Sequence, residues 1–294
     1  MIEKVLITNP SGATLELELA RPELSGFAVL SIDGLGPPTG AINLTDLGGT
    51  DGSAFNSARA NKRNIVLNLR FISDDARRES YKYFPVKRNV KIAVVSNDRT
   101  VETEGYVEYN NPNIFSPESG CSISIICPDP YLYDSSLQTA IIAGVSKEFT
   151  FPFMNNSLTE NLIIFGEYRD NAGVNIEYEG NDDAGINIVV HFSGDVTDLR
   201  IYNSLTREIL QIDTSLVPGG KFIHGDGLVI STIRGNKFIT LTRDGIDYNL
   251  MNALGRNPVW IRLIPGSNVF SYAVTSGDSN MIMRVEYKIK YEGV

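Results

Sequence analysis

The stretch Cys127-Pro128-Asp129-Pro130-Tyr131-Leu132-Tyr133-Asp134 marks where this chain passes from one body to another. Just before it, Cys121, Ile123, Ile125 and Cys127 fall on one side of an alternating run and Ser122 and Ser124 on the other, the period-two signature of a half-buried strand. Pro128 and Pro130 then stop the ladder, because neither has an N–H to donate and each holds the residue before it extended. The polar residues that follow open a linker, 135–147. The chain therefore divides into a first domain, 1–134, and a second, 148–294, each long enough to bury its own core.

Working back from that stretch, 4–9 and 14–19 form a hairpin around Pro10-Ser11-Gly12, with Leu15, Leu17 and Leu19 on one face. A third strand, 26–32, ends at Asp33-Gly34. From 35 to 61 the chain is rich in Gly and Pro, with brief apolar alternation at Ile42 and Leu44. So long a connection inside a compact domain is either solvated or ordered by a partner, and the alternation points to an arm ordered by a neighbouring subunit. Residues 64–72 resume a strand with Ile65, Leu67, Leu69 and Phe71 inward. Ser73 caps a helix running to about Phe84, with Asp74 and Asp75 in its first turn; Tyr81 and Phe84 reach the sheet while Arg77, Arg78 and Lys82 stay outside. Strands at 90–95, 101–109 and 119–127 complete a β-sandwich or small barrel with one α-helix and a long arm.

Beyond the linker, strand-like runs recur every ten or so residues, separated by Gly, Asn and Asp: 148–153, 161–166, 174–179, 186–192, 199–203, 207–212, 228–233, 237–242, 259–264, 269–274 and 282–291. In the last of these Met283, Val285, Tyr287, Ile289 and Tyr291 share one face. A short helix is expected at 247–254. The protein is thus mainly β, and its second domain reads as a jelly-roll sandwich.

Composition narrows the function. The chain has 294 residues and a net charge of -9, and both halves are acidic, with 13 basic against 17 acidic residues up to Asp134 and 13 against 18 after it. Tight sequence-independent nucleic-acid binding needs clustered Lys and Arg, and neither half offers it. The start lacks the order of a signal peptide and no apolar run spans a bilayer, so synthesis and folding in a cytoplasm are expected. The two cysteines sit six residues apart on one strand, roughly 20 Å at ~3.3 Å per residue, too far for the ~4.4 to 6.8 Å of a disulfide. They read as buried free thiols.

Chemistry is sparse. His191 and His224 are the two histidines; the first reads as a mid-strand polar residue and the second as a turn residue, and with both cysteines in a strand no zinc spacing exists. Residues 46–52 and 181–183 lack the alternate-ligand spacing of a calcium loop, and Pro218-Gly219-Gly220-Lys221 lacks that of a phosphate loop. No cofactor or metal is expected. Trp260 is the one residue that fits sugar stacking, although burial between sheet and loop, or covering of a sheet edge, is the more common fate of such a residue.

CPDPYLYD at the end of a strand, together with 26–35 (GFAVLSIDGL), Asp51-Gly52 followed by Arg63-Asn64-Ile65, 78–85 (RESYKYFP), 260–268 (WIRLIPGSN) and the closing Tyr291-Glu292-Gly293-Val294, resembles the distal tail proteins of long, non-contractile-tailed bacteriophages. The resemblance implies first domains that build an oligomeric ring, usually six-fold, with extensions reaching neighbouring subunits, and second domains like galectins or carbohydrate-binding modules. It implies a structural protein of the virion, assembled in the host cytoplasm, whose ring joins the tail tube protein to the tail-tip and receptor-binding proteins while DNA passes through the hole. Asp51, Phe55, Asn56, Arg59 and Arg63 are the residues expected at the ring interface. The competing reading is a carbohydrate-binding adhesin that grips host cell-wall glycans, with Trp260 as the contact; a tail-associated hydrolase is a third class.

Overall fold

The structure, a computed structural model, describes residues 1–49, 51–115, 120–146, 167–169, 173–255 and 259–294. It is mainly β and divides into two compact units, Met1–Ser135 with Lys290–Val294, and Ser136–Ile289.

In the first unit the strands are β1 (Ile2–Thr8), β2 (Thr14–Glu18), β3 (Phe27–Asp33), β4 (Gly40–Asp46), β5 (Ser53–Ala60), β6 (Arg63–Phe71), β7 (Asn89–Ser96), β8 (Thr100–Pro112), β9 (Gly120–Cys127) and β10 (Leu132–Asp134). Seven of them run side by side in one antiparallel sheet in the order β2-β1-β7-β8-β9-β6-β3, and β10 joins the same sheet by pairing with β8. Alternation decides which side faces in: Ile65, Leu67, Leu69 and Phe71 of β6 and Cys121, Ile123, Ile125 and Cys127 of β9 are all buried in one core, as the sequence predicts. The two end strands, β2 and β3, approach one another around a 3-10 turn at Pro22–Leu24 but exchange no ladder hydrogen bonds, so the sheet curls towards a barrel left open at one seam.

The helix α1 (Asp74–Tyr83) lies across β6 and β8, and the Ser73 side chain accepts from Ala76 N at 3.2 Å at its start. Losing such a cap costs about 1 kcal/mol. Its buried side is Ala76, Ser80 and Phe84, spaced by four; Tyr81, expected to face the sheet, is exposed, because a step of three from Phe84 lands beyond the narrow contact.

The second unit holds β11 (Gln138–Ser146), β12 (Glu167–Arg169), β13 (Val174–Tyr178), β14 (Ala184–Gly185), β15 (Asn187–Phe192), β16 (Arg200–Asn203), β17 (Glu208–Gln211), β18 (Gly227–Ser231), β19 (Phe238–Arg243), β20 (Ile246–Asn249), β21 (Arg262–Leu263), β22 (Gly266–Ala273) and β23 (Met281–Tyr287). A seven-stranded sheet, β12-β11-β23-β15-β18-β19-β20, and a four-stranded sheet, β13-β22-β16-β17, share one core, to which the first gives Ile188, Val190 and Met283 and the second Ile201, Leu210 and Phe270. This is a two-sheet β-sandwich.

Several expectations change. The segment expected as a linker contains β11, which pairs with β23 from Gln138↔Tyr287 onward. The expected strand 282–291 is two strands: β23 stops at Tyr287, and β24 (Lys290–Tyr291) pairs with β10 in the first unit through Leu132↔Tyr291 and Tyr133↔Lys290. The alternation runs on in sequence because both halves bury the same parity of residues in different cores. The expected helix 247–254 is β20 and a 3-10 turn at Met251–Ala253. Asp244 and Gly245 there both have positive φ, 50° and 76°, which closes β19 and β20 as a two-residue hairpin. The strand expected at 259–264 shrinks to Arg262–Leu263, and those at 148–153 and 161–166 lie outside the described residues.

Candidate assembly site

The long connection between β3 and β6 is a hairpin of its own. Strands β4 and β5 pair only with each other, from Gly40↔Ala60 to Asp46↔Ser53. Asn61 N donates to Thr39 O at 2.8 Å and closes the base. Its two faces differ. On one, Asn43 Nδ2 donates to Ser57 Oγ at 2.9 Å and Asn56 Nδ2 to Thr45 Oγ1 at 2.6 Å, so the polar groups satisfy each other. On the other, Leu44 sits opposite Phe55 and Ile42 opposite Ala58.

The exposure of that second face is unusual for its composition: Ile42 63%, Leu44 57% and Phe55 66%. The stripe is hidden in the sequence because a bulge lies between the Asn43↔Ser57 and Leu44↔Phe55 pairs. The extra residue shifts the phase of β5, so Phe55 and Ala58, an odd number apart, share a face. A two-stranded hairpin is marginal in water by itself, and adjacent exposed apolar side chains of this kind are uncommon on the surface of a monomer.

The arm's base is fixed by Arg63, which is 3% exposed. Its Nε donates to Pro130 O at 2.7 Å, one terminal nitrogen to Gly34 O and to Gly36 O (the latter 2.7 Å), and the other to Glu292 O at 2.6 Å. One guanidinium thus ties together the start of the arm, the CPDPYLYD stretch and the returning chain end. Burial pulls its pKa down, but an arginine remains charged in this range. Gly34 beside it has φ +86°, and a Cβ there would lie 2.0 Å from Asn64 O.

Of the five residues expected at the interface, then, Asp51, Phe55, Asn56 and Arg59 are exposed on the arm, with Asn56 already bonded to Thr45. Arg63 is corrected: it is an internal clamp with almost no surface to offer a partner, since it is 3% exposed and four of its five N–H groups donate to carbonyls of its own unit. Trp260 lies before β21, half-buried on the second core, with Lys237 Nζ 5.0 Å from its ring centroid. These contacts account for the residue without a sugar.

Elsewhere the chemistry stays sparse. Cys121 and Cys127 are buried and unpaired with each other, and burial pushes both thiols up to about 11. His191 is exposed on β15, and His224 Nδ1 lies 3.0 Å from Ser193 O. A shallow concavity of roughly 430 Å³ in the first unit is lined by Ser96, Asp98 and Arg99 among others; Ser96 Oγ donates to Asp98 Oδ1 at 2.8 Å there, and no histidine is among the lining residues. Among the described residues no group of three His, Cys, Asp or Glu side chains converges as metal ligands, and no helix is long and apolar enough to cross a membrane.

The fold is that of known phage tail components. The Dit protein of phage SPP1, described as a paradigm of the hub adsorption apparatus in phages infecting Gram-positive bacteria, superposes with a TM-score of 0.67 at 14% identity, covering 97% of this chain and 98% of that one. A chain of the phage P2 baseplate in its activated conformation with Ca gives 0.52 at 10% identity over the whole of both chains, and one from the Sr form gives 0.50 at 10% identity over 99% of each. No family model and no curated relative matches the sequence.

Proposed function

We propose that this chain is a structural distal tail protein of a bacteriophage, whose first unit assembles into a ring. The ring, six-fold by resemblance, joins the tail tube to the tail-tip and receptor-binding proteins and lets DNA through its centre. The second unit stands outside the channel function, and no reaction is assigned to either unit.

The observation that carries this reading is the arm. A hairpin that satisfies its own polar face and leaves Ile42, Leu44 and Phe55 in water gains most of its stability only when another surface covers them. The end-to-end likeness to the SPP1 hub protein supports the same reading. An acidic chain suits a DNA passage, since like charge keeps the polymer from adhering.

Light scattering on the purified chain is expected to give the mass of a closed oligomer at high concentration. Replacing residues 40–60 by a short Gly-Ser turn is expected to leave a folded monomer. A chain that is monomeric at every concentration, or a deletion that unfolds the first unit, would overturn the reading.

A further inference from the structure

The first unit is not made of one continuous stretch. Its segment Lys290–Val294 follows residues 136–289, which form the second unit. Within the first unit this segment touches two places. Lys290 and Tyr291 pair with β10 as β24; Tyr291 packs on the first core with the Arg99 guanidinium 4.3 Å from its ring centroid, and Lys290 Nζ lies 3.7 Å from the centroid of Tyr131. The next three residues lie along the start of the arm. Glu292 O accepts from Arg63 at 2.6 Å, Val294 N donates to Leu35 O at 3.1 Å, and a Cβ on Gly293 would sit 3.2 Å from Leu35 O.

We infer that Lys290–Val294 is a strap that sets the root of the arm, and that the arm is held ready for a partner only once this segment has docked.

Two observations carry this. The seven strands that run side by side, and all of the fully buried core, come from residues before 136, so the body of the unit needs nothing from the strap. The arm's base does, because Leu35 O and one Arg63 nitrogen take their bonds from 292–294. The second observation is order along the chain. Residues 136–289 are made between β10 and the strap, which at about 5 to 20 residues per second takes about 8 to 30 s. That is long against the roughly milliseconds to seconds in which β domains fold. The sheet therefore forms first, and the strap arrives last, onto β10 and Leu35–Gly36. A copy cut short before residue 290 has a core but a loosely rooted arm, and the device keeps such a copy out of an assembly.

The test is deletion of residues 290–294 from the full chain. Amide exchange at Asn61, whose N–H closes the arm's base on Thr39 O, is expected to quicken about thirtyfold, the worth of two hydrogen bonds, while β8 and β9 keep their protection. Tyr291→Ala in the chain of full length is expected to do the same to a smaller extent. By light scattering, the deletion is expected to raise the concentration needed for half-assembly about tenfold or more. Unchanged exchange at Asn61 in both variants overturns the inference, as does assembly of the deletion chain at the wild-type concentration. Loss of protection throughout β8 and β9 overturns it too, since 290–294 is then part of the core. The association readout rests on the assembly reading and the exchange readout does not: if the undeleted chain is monomeric at every concentration, that reading falls and Asn61 alone decides the strap.

Discussion

Strands β5 and β6 are separated by two residues and meet opposite fates. Arg59, near the end of β5, is in water; Arg63, at the start of β6, is 3% exposed and bonds four carbonyls. Both stretches mix apolar and polar residues, so the difference does not come from strand propensity. It comes from neighbours: β6 lies between β3 and β9, and β5 has only β4. A strand in a sheet is judged by two ladders and a core, whereas a strand in an arm is judged by whatever arrives later.

The sharpest way to break the comparison is at the two arginines. Arg63→Met leaves four inward carbonyls short of a donor and is expected to destabilise the first unit by about 3 to 5 kcal/mol. Arg59→Met is expected to change stability by less than about 0.5 kcal/mol. Urea unfolding of both variants measures this; equal effects would mean that Arg63 is not the clamp described.

A second effect is carried by the thiols of β9, which have no counterpart in the arm. Each is pushed from 9.0 to about 11 by burial. The unfolded thiol loses its proton first as pH rises, so the stabilisation is complete below about pH 9 and is lost towards pH 11. A rise of this size is worth roughly 2 to 3 kcal/mol per thiol. A Cys127→Ala chain is expected to start less stable and to show a shallower alkaline decline in unfolding free energy than the wild type; parallel curves would count against the assignment.

A more local effect, smaller than that of Arg63→Met, is expected where the two regions join. Gly34→Ala places a methyl 2.0 Å from Asn64 O in a left-handed conformation, which is expected to cost about 2 kcal/mol. Hydrogen exchange is expected to quicken at the arm's root while the β8 and β9 amides keep their protection. Uniform loss across the sheet would show that root and sheet unfold as one.

Much of the fold was legible beforehand wherever one side of an element meets one core. The alternation of β6 and β9, the Ser73 cap, the free cysteines and an arm between 35 and 61 all follow from local pattern. The failures share a cause. The run from Met283 to Tyr291 alternates without interruption, yet its last two residues serve the other unit, and periodicity carries no label saying which core it points into. The bulge in the arm hid its apolar stripe by shifting phase. Arg63 read as a surface residue because its partners, from Gly34 to Glu292, are far apart in sequence.

The sequence by itself therefore determined a β-rich chain with two cores, a helix capped by Ser73 and an arm between 35 and 61, since composition, period and turn residues act locally. Only the tertiary structure decided that the chain's end returns to the first unit, that one guanidinium holds the arm's root, and that the β3 edge is left open. Each of these depends on which distant strands become neighbours, and hydrogen bonds and apolar contacts reward that proximity regardless of separation along the chain.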